Sequence, residues 1–508
     1  MSGMNRCRSV GLAALAMFVA AWQFGCGGAG GNVSSPAQSS ATTNSAPIAP
    51  TPTTLVANLQ PFTDSTGSAA TFSSTGSVDT TGVFFQQLGT NGRTCATCHQ
   101  LSQGLSISAA STLALFNSTN GADPLFAAVD GANCPSAAAG DAAGRSLMLN
   151  KALVRIPITP PANAEFTISV LHDPYGCAIS TAGTNGQQTV SVYRRPLPAA
   201  SLVYMSQIMW DARQTASPLN AAGTFAANLD LDLASQAASA VAGHMQATAA
   251  PTTDQTNAIL ALEKGFFTAQ EIDSQAGSLS ANGATGGATN LAAQGYHPGI
   301  NDAFGQDPQN APFNSAIFRI YQAWNNSANP QQASIARGQG IFNSAPLTIT
   351  DVRGINDNPA LGSPAALVGT CGTCHDTPNV GNHSLPLPLD IGTSRLAANE
   401  TSADIIAGLG KLAAADVPVY QISGCRDANG NAILYITTDP GVGLFTGLCA
   451  DVNRLKVPAL RGLAARAPYF HNGSADNLNQ LVNFYDNRFR MHLNQQQRAD
   501  LVNFLSAL

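Results

Sequence analysis

The chain has 508 residues, which at ~150 residues per domain allows two or three domains and a large core. Only 10% of residues are charged, 23 Lys+Arg against 29 Asp+Glu, and the formal net charge is -6. There is no basic field to hold a phosphate backbone, which argues against nucleic-acid binding, and a 44% apolar content argues against a wholly disordered chain.

Arg6 and Arg8 form a short basic region ahead of an apolar run from Val10 to Phe24. That run is too short and too early for a spanning helix, and it fits an export signal. Cys26 stands where a lipoprotein cleavage box would end, although Gln23 takes the position that usually carries Leu. Residues 1–26 are therefore read as a signal peptide. Cys26 is the candidate lipid anchor, the alternative being an ordinary signal cut nearby. Residues 27–76 are rich in Ser, Thr, Ala, Pro and Gly with one charge, Asp64, and read as a flexible tether. The expected location is the periplasm, with a tether to a membrane through Cys26.

Two units follow, each with the same five-residue pattern. Cys95-Ala96-Thr97-Cys98-His99 lies in the first and Cys371-Gly372-Thr373-Cys374-His375 in the second. CxxCH is the attachment pattern of a c-type haem, two cysteines for the thioethers and a histidine for the iron. A redox dithiol has no need of the histidine, and no further paired cysteines complete a zinc shell. Two covalent haems are expected. Cys134 with Cys177 and Cys425 with Cys449 are local pairs suited to disulfides in an oxidising compartment, though spacing leaves the connectivity open.

Val83, Phe84, Phe85 and Leu88 precede the first motif, and Ile335, Gly338, Ile341 and Phe342 share a helical face before the second. Asn494 with Gln497 predicts the start of a terminal helix bearing Leu501, Val502, Leu505 and Leu508. Phe166–Leu171, Thr189–Tyr193 and Ala432–Thr437 read as strands. The expected fold is mainly α: two class I cytochrome c-like haem domains, 77–329 and 330–508, with small β insertions.

The stretches Leu455-Lys456-Val457-Pro458-Ala459-Leu460-Arg461-Gly462 and Ala467-Pro468-Tyr469-Phe470-His471-Asn472-Gly473-Ser474 resemble the bacterial dihaem cytochrome c peroxidase/MauG family. Met209-Trp210-Asp211-Ala212-Arg213 and Thr438-Asp439-Pro440-Gly441 are similar to further motifs of that family. The resemblance implies a peroxide-reacting iron on His99, an electron-transferring iron on His375, and Trp210 as a relay between them. It implies Arg461 and His471 as haem-binding groups, and an insertion between His99 and Trp210. In the family, the second haem's other axial ligand is Met in peroxidases and Tyr in MauG-like members; that position is Tyr485 here, with Met491 and His492 as rivals. Tyr485 also continues an apolar stripe through Leu478, Leu481 and Val482, so packing is the competing reading.

Departures from the family matter too. Gln236 matches its distal Gln, but the expected Glu ten residues on is Gln246, which leaves His244 as the candidate proton shuttle. Arg195 stands where the family places a calcium-binding Asn, so calcium is not expected. His383 is either a contact at the second haem's edge or a loop histidine; His172 and His297 receive no role. Three functions remain open: reduction of hydrogen peroxide, MauG-like or dioxygen-activating oxidation of an organic or protein substrate, and simple dihaem electron transfer. The implied partners are a donor cytochrome or cupredoxin and a second copy in a homodimer.

Overall fold

A strand begins at Leu55, and from there helices and small antiparallel sheets alternate to the C-terminus. This computed structural model describes residues 55–181, 187–215, 225–396, 416–427 and 429–508. The expected signal, with Cys26, lies outside the described residues. The expectation of a mainly α molecule made of two class I cytochrome c-like domains is corrected. Two four-stranded sheets, a three-stranded sheet and two strand pairs accompany the helices among the described residues.

The reason lies in residues that carry weak strand signals. Gly67–Ser73 (GSAATFS) is made mostly of small residues, yet it pairs along its whole length with Phe266–Asp273. The latter strand follows the helix Thr253–Gly265 directly, with no loop to announce it. Across this buried pair the Thr71 and Thr268 hydroxyls meet at 2.8 Å. The expected tether is corrected as well: Gly67–Ser73 lies within 27–76 and is the inner partner of a sheet.

Residue 330 is not a boundary in packing. Phe318 and Tyr321, before it, pack on Phe504, after it, with ring centroids 5.3 and 6.3 Å apart. The strand Thr167–His172, inside the expected insertion, joins Val419–Ser423 of the C-terminal region edge to edge. Residues Thr53–Leu508 form one compact unit.

Other expectations are met locally. Thr167–His172 and Thr189–Arg194 are strands and Pro330–Ser344 is a helix, while of the expected strand Ala432–Thr437 only Tyr435–Thr437 forms. Asn494 caps Gln495–Ser506 reciprocally with Gln497. Val83–Phe85 makes only a single 3-10 turn. Cys134–Cys177 and Cys425–Cys449 are disulfides, with Cα atoms 6.0 and 5.6 Å apart.

Candidate functional site

The two CxxCH segments are built alike. In each, the threonine before the first cysteine donates its N–H to the inner threonine's Oγ1: Thr94 to Thr97 at 2.9 Å, Thr370 to Thr373 at 3.0 Å. The histidine N–H closes the turn on the first cysteine's carbonyl at 3.0 Å in both. His99 Nδ1 then donates to the Leu105 carbonyl at 3.1 Å and His375 Nδ1 to that of Gly381 at 2.6 Å. A backbone acceptor on Nδ1 fixes the ring and the tautomer, leaving the Nε2 lone pair for a metal.

Each motif lines its own cavity. The first is lined by Cys95, Cys98 and His99 together with Gln236, His244, Trp210 and Arg461, and encloses about 1540 Å³ including its open mouth. The second is lined by Cys371, Cys374 and His375 with His471, Tyr485 and Trp210, and encloses about 1110 Å³. All four motif cysteines are unbridged. Burial pushes Cys95, Cys371 and Cys374 up to about 12 and Cys98 up to about 11. Neutral thiols of this kind are poor redox nucleophiles. A prosthetic group that accepts two thioethers and one imidazole nitrogen in each cavity fits these residues.

Gln236 sits on the helix Phe225–Gly243, and its Oε1 is buried without a partner. His244 follows that helix, and its Nδ1 contacts Asp130 Oδ2. Asp130 is itself held by Arg93, whose Nε and a terminal nitrogen donate to the carbonyls of Pro124 and Leu125 at 2.7 Å each. Burial alone would raise Asp130, but hydrogen bonding and charge from His244 and Arg93 hold its carboxyl below the ordinary value. Asp130 thus orients the imidazole and leaves Nε2 free to exchange a proton. Gln246 does not line the cavity; its Oε1 accepts from Asn91 at 3.4 Å.

Asp130 had no motif to announce it. Glu263 could have been found: it lies on the buried face of its helix beside Ile259 and Leu260, where an acid is out of place. It lines the first cavity, Oε2 has no partner, and burial pushes it up to about 8.

Trp210 lines both cavities. Its Nε1 donates to the Arg195 carbonyl at 2.8 Å, and its ring centroid lies 6.2 Å from that of His471. Lys456 also lines both, donates its backbone N–H to the Trp210 carbonyl at 2.8 Å, and is pushed down to about 7 by burial. Next to Trp210, Asp211 accepts from Arg194 at 2.5 Å, and Arg194 grips Asp439 through two bonds of 2.6 and 2.8 Å. The Met209–Arg213 and Thr438–Gly441 motifs are therefore joined by one buried guanidinium. Arg195 donates to the carbonyls of Lys151, Ile107 and Arg466.

Arg461 faces the first cavity, not the second, and donates to the Asn379 carbonyl at 3.2 Å. His471 faces the second, with Nε2 3.8 Å from Asp439 Oδ2. Tyr485, on the helix Leu478–Phe489, stacks against Phe470 and Phe489 at the second cavity, and burial raises its phenol. Met491 is buried in the core and His492 is exposed; neither lines that cavity. His383 does not line it either. His297 pairs with Asp307 at 3.0 Å.

No family model matches the chain, and no curated protein matches it.

Proposed function

We propose that the chain is an exported dihaem c-type oxidoreductase that reduces hydrogen peroxide at the first cavity with electrons entering at the second. The observation that carries this reading is the pair of cavities, each lined by one CxxCH, with Trp210 lining both. Cys95 and Cys98 would hold one haem with His99 on its iron, and Cys371 and Cys374 the other with His375. Arg461 is a cation available to haem carboxylates, and a carboxylate beside Lys456 would favour its protonated form. A c-type haem supplies an iron that takes and gives single electrons, at a potential set by its axial ligands and surroundings.

The protein's own part is proton management and positioning. Asp130 accepts from His244 Nδ1–H, so that Nε2, facing the first cavity, presents a lone pair that takes the proton of the near peroxide oxygen. His244 moves that proton from the near to the far oxygen of the peroxide, so that the far oxygen leaves as water. Gln236 offers its amide to orient the peroxide. Two electrons and two protons complete the reduction to two waters. Trp210 stands between the sites as the relay.

Tyr485 supports a second reading, oxidation of an organic or protein substrate after peroxide or dioxygen reacts, because a phenolate ligand would lower the second potential. The test uses the purified full chain. Its mass should exceed that of the polypeptide by two haems, and Cys95→Ser/Cys98→Ser should lose one of them. Peroxide should be turned over with a reduced donor cytochrome, and only when the first haem is present. A haem-free mass would overturn the proposal outright. Two haems without peroxide turnover would favour substrate oxidation if an added substrate is consumed, and a plain carrier if nothing reacts.

Export to the periplasm and lipidation at Cys26 belong to the same proposal. No helix among the described residues is long and apolar enough to cross a membrane. Fractionation of cells expressing the full chain and its Cys26→Ser variant tests the anchor, which predicts release of the variant from membranes.

A further inference from the structure

We infer that Asp302, Asp376 and His383 form a binding site for one divalent transition-metal ion, zinc being the best chemical match. The site lies outside both cavities and does not depend on the haem reading. One ligand atom from each residue lies within 4.8 Å of the other two, and all three side chains are buried.

The carboxylates are arranged so that each spends one oxygen on the backbone and leaves the other bare. Asp302 Oδ2 accepts from the N–H groups of Phe304 and Gln306 at 2.8 and 2.9 Å, while Oδ1 has no partner. Asp376 Oδ1 accepts from Ser384 N–H at 2.6 Å, while Oδ2 has no hydrogen-bond partner. That bare oxygen faces His383 Nδ1 at 3.3 Å. Nδ1 accepts the Leu385 N–H at 3.2 Å, so it carries no proton to give to that oxygen. His383 Nε2 is likewise without a partner. Phe304 stacks on the imidazole, with centroids 6.5 Å apart and planes 13° from parallel, which holds the ring in place.

The ion pair recorded for Asp376 is with His383, and neither aspartate pairs with a lysine or arginine among the described residues. Two carboxylates out of water without a counter-charge are costly. A divalent ion balances two carboxylates and accepts a neutral imidazole. Two oxygens and one nitrogen suit zinc, which binds at ~2.0–2.2 Å to each; calcium prefers oxygen alone. A further ligand can come from water or from the Thr377 or Ser384 hydroxyl, both buried and unpartnered in the same loop.

The ion would act as a staple. Asp376 directly follows His375, and Asp302 comes from a separate segment before the helix Pro330–Ser344. Filling the site ties the second CxxCH loop to that segment.

The full chain, stripped with a chelator and equilibrated with zinc, is dialysed and its zinc and iron are measured separately by mass spectrometry. About one tightly held zinc per chain is expected, against none in Asp302→Asn/Asp376→Asn. His383→Gln keeps the volume and should also lose it, with far-UV circular dichroism checking that both variants fold. Failure of the haem reading would show in iron, not in zinc. Zinc no higher in the natural chain than in the folded variants would overturn the proposal, as would a site that takes calcium in preference to zinc.

Discussion

His471 shows how burial writes a pH dependence into a single residue. It is 2% exposed, and burial pushes its imidazole down to about 4, against an ordinary value of 6.5. Above pH 6.5 it is neutral folded or unfolded. Between 6.5 and 4 the unfolded chain takes up the proton first, so stability falls as pH falls, by about 3 kcal/mol in full. His471→Gln removes that proton uptake, so denaturant midpoints of variant and natural chain should converge below pH 4 relative to their separation above 6.5. A separation constant with pH would show that His471 titrates normally. At the first cavity, His244→Gln should lower peroxide turnover by roughly 10²–10⁴-fold. Asp130→Asn should lower it too by releasing the tautomer, and Gln246→Leu should leave it unchanged; equal loss in all three would remove His244 from its role. Gln236, His244, Trp210 and Tyr485 came from the resemblance to known motifs, and each lines at least one of the two cavities. Asp130, Arg194 and Lys456 were not legible: Asp130 lies 114 positions from His244, and only the folded chain brings them together.

In the C-terminal region, the crossing of the helices Pro330–Ser344 and Gln495–Ser506 decides the packing. Glycine costs a helix interior about 1 kcal/mol relative to alanine, yet Pro330–Ser344 carries two, Gly338 and Gly340. A Cβ on Gly338 would stand 2.0 Å from the Asp500 carbonyl and 2.6 Å from Phe504 Cβ, in the terminal helix. A Cβ on Gly340 would meet nothing within 4 Å. Gly338→Ala should therefore destabilise by about 1–3 kcal/mol through overpacking, while Gly340→Ala should stabilise by up to ~1 kcal/mol. Guanidinium unfolding of the two variants checks both signs, and a stabilising Gly338→Ala would mean that the helices are not in contact there. The spacing of Ile335, Ile341 and Phe342 predicts this helix, although Gln332, Ser334, Gln339 and Asn343 are buried on it as well. Spacing did not reveal Gly67–Ser73 as a strand, because Gly, Ser and Ala give little alternation of apolar and polar, and pairing with a distant partner makes the strand.

Two CxxCH motifs 276 residues apart invite a reading of two independent domains, each with its own core. The packing says otherwise. The core around Phe342 and Phe504 draws in Phe318, Tyr321 and Trp324 from before residue 330. Thr167–His172 completes a sheet that belongs to the C-terminal region. Arg194 is 0% exposed and joins Asp211, beside Trp210, to Asp439, beside the second cavity's His471. Because these links are buried, neither half keeps its surface if the other unfolds. Unfolding should therefore follow one transition, with coincident midpoints by far-UV and near-UV circular dichroism. Arg194→Met leaves Asp439 buried without its cation and should lower stability by about 3–5 kcal/mol while the transition stays single. Two separated transitions in the natural chain would mean that the halves are autonomous. A variant that lost only one of two transitions would place Arg194 inside a half rather than between them. A single, shifted transition would tie the geometry between the cavities to the stability of the whole molecule, with Trp210 fixed in the joint rather than carried by either side.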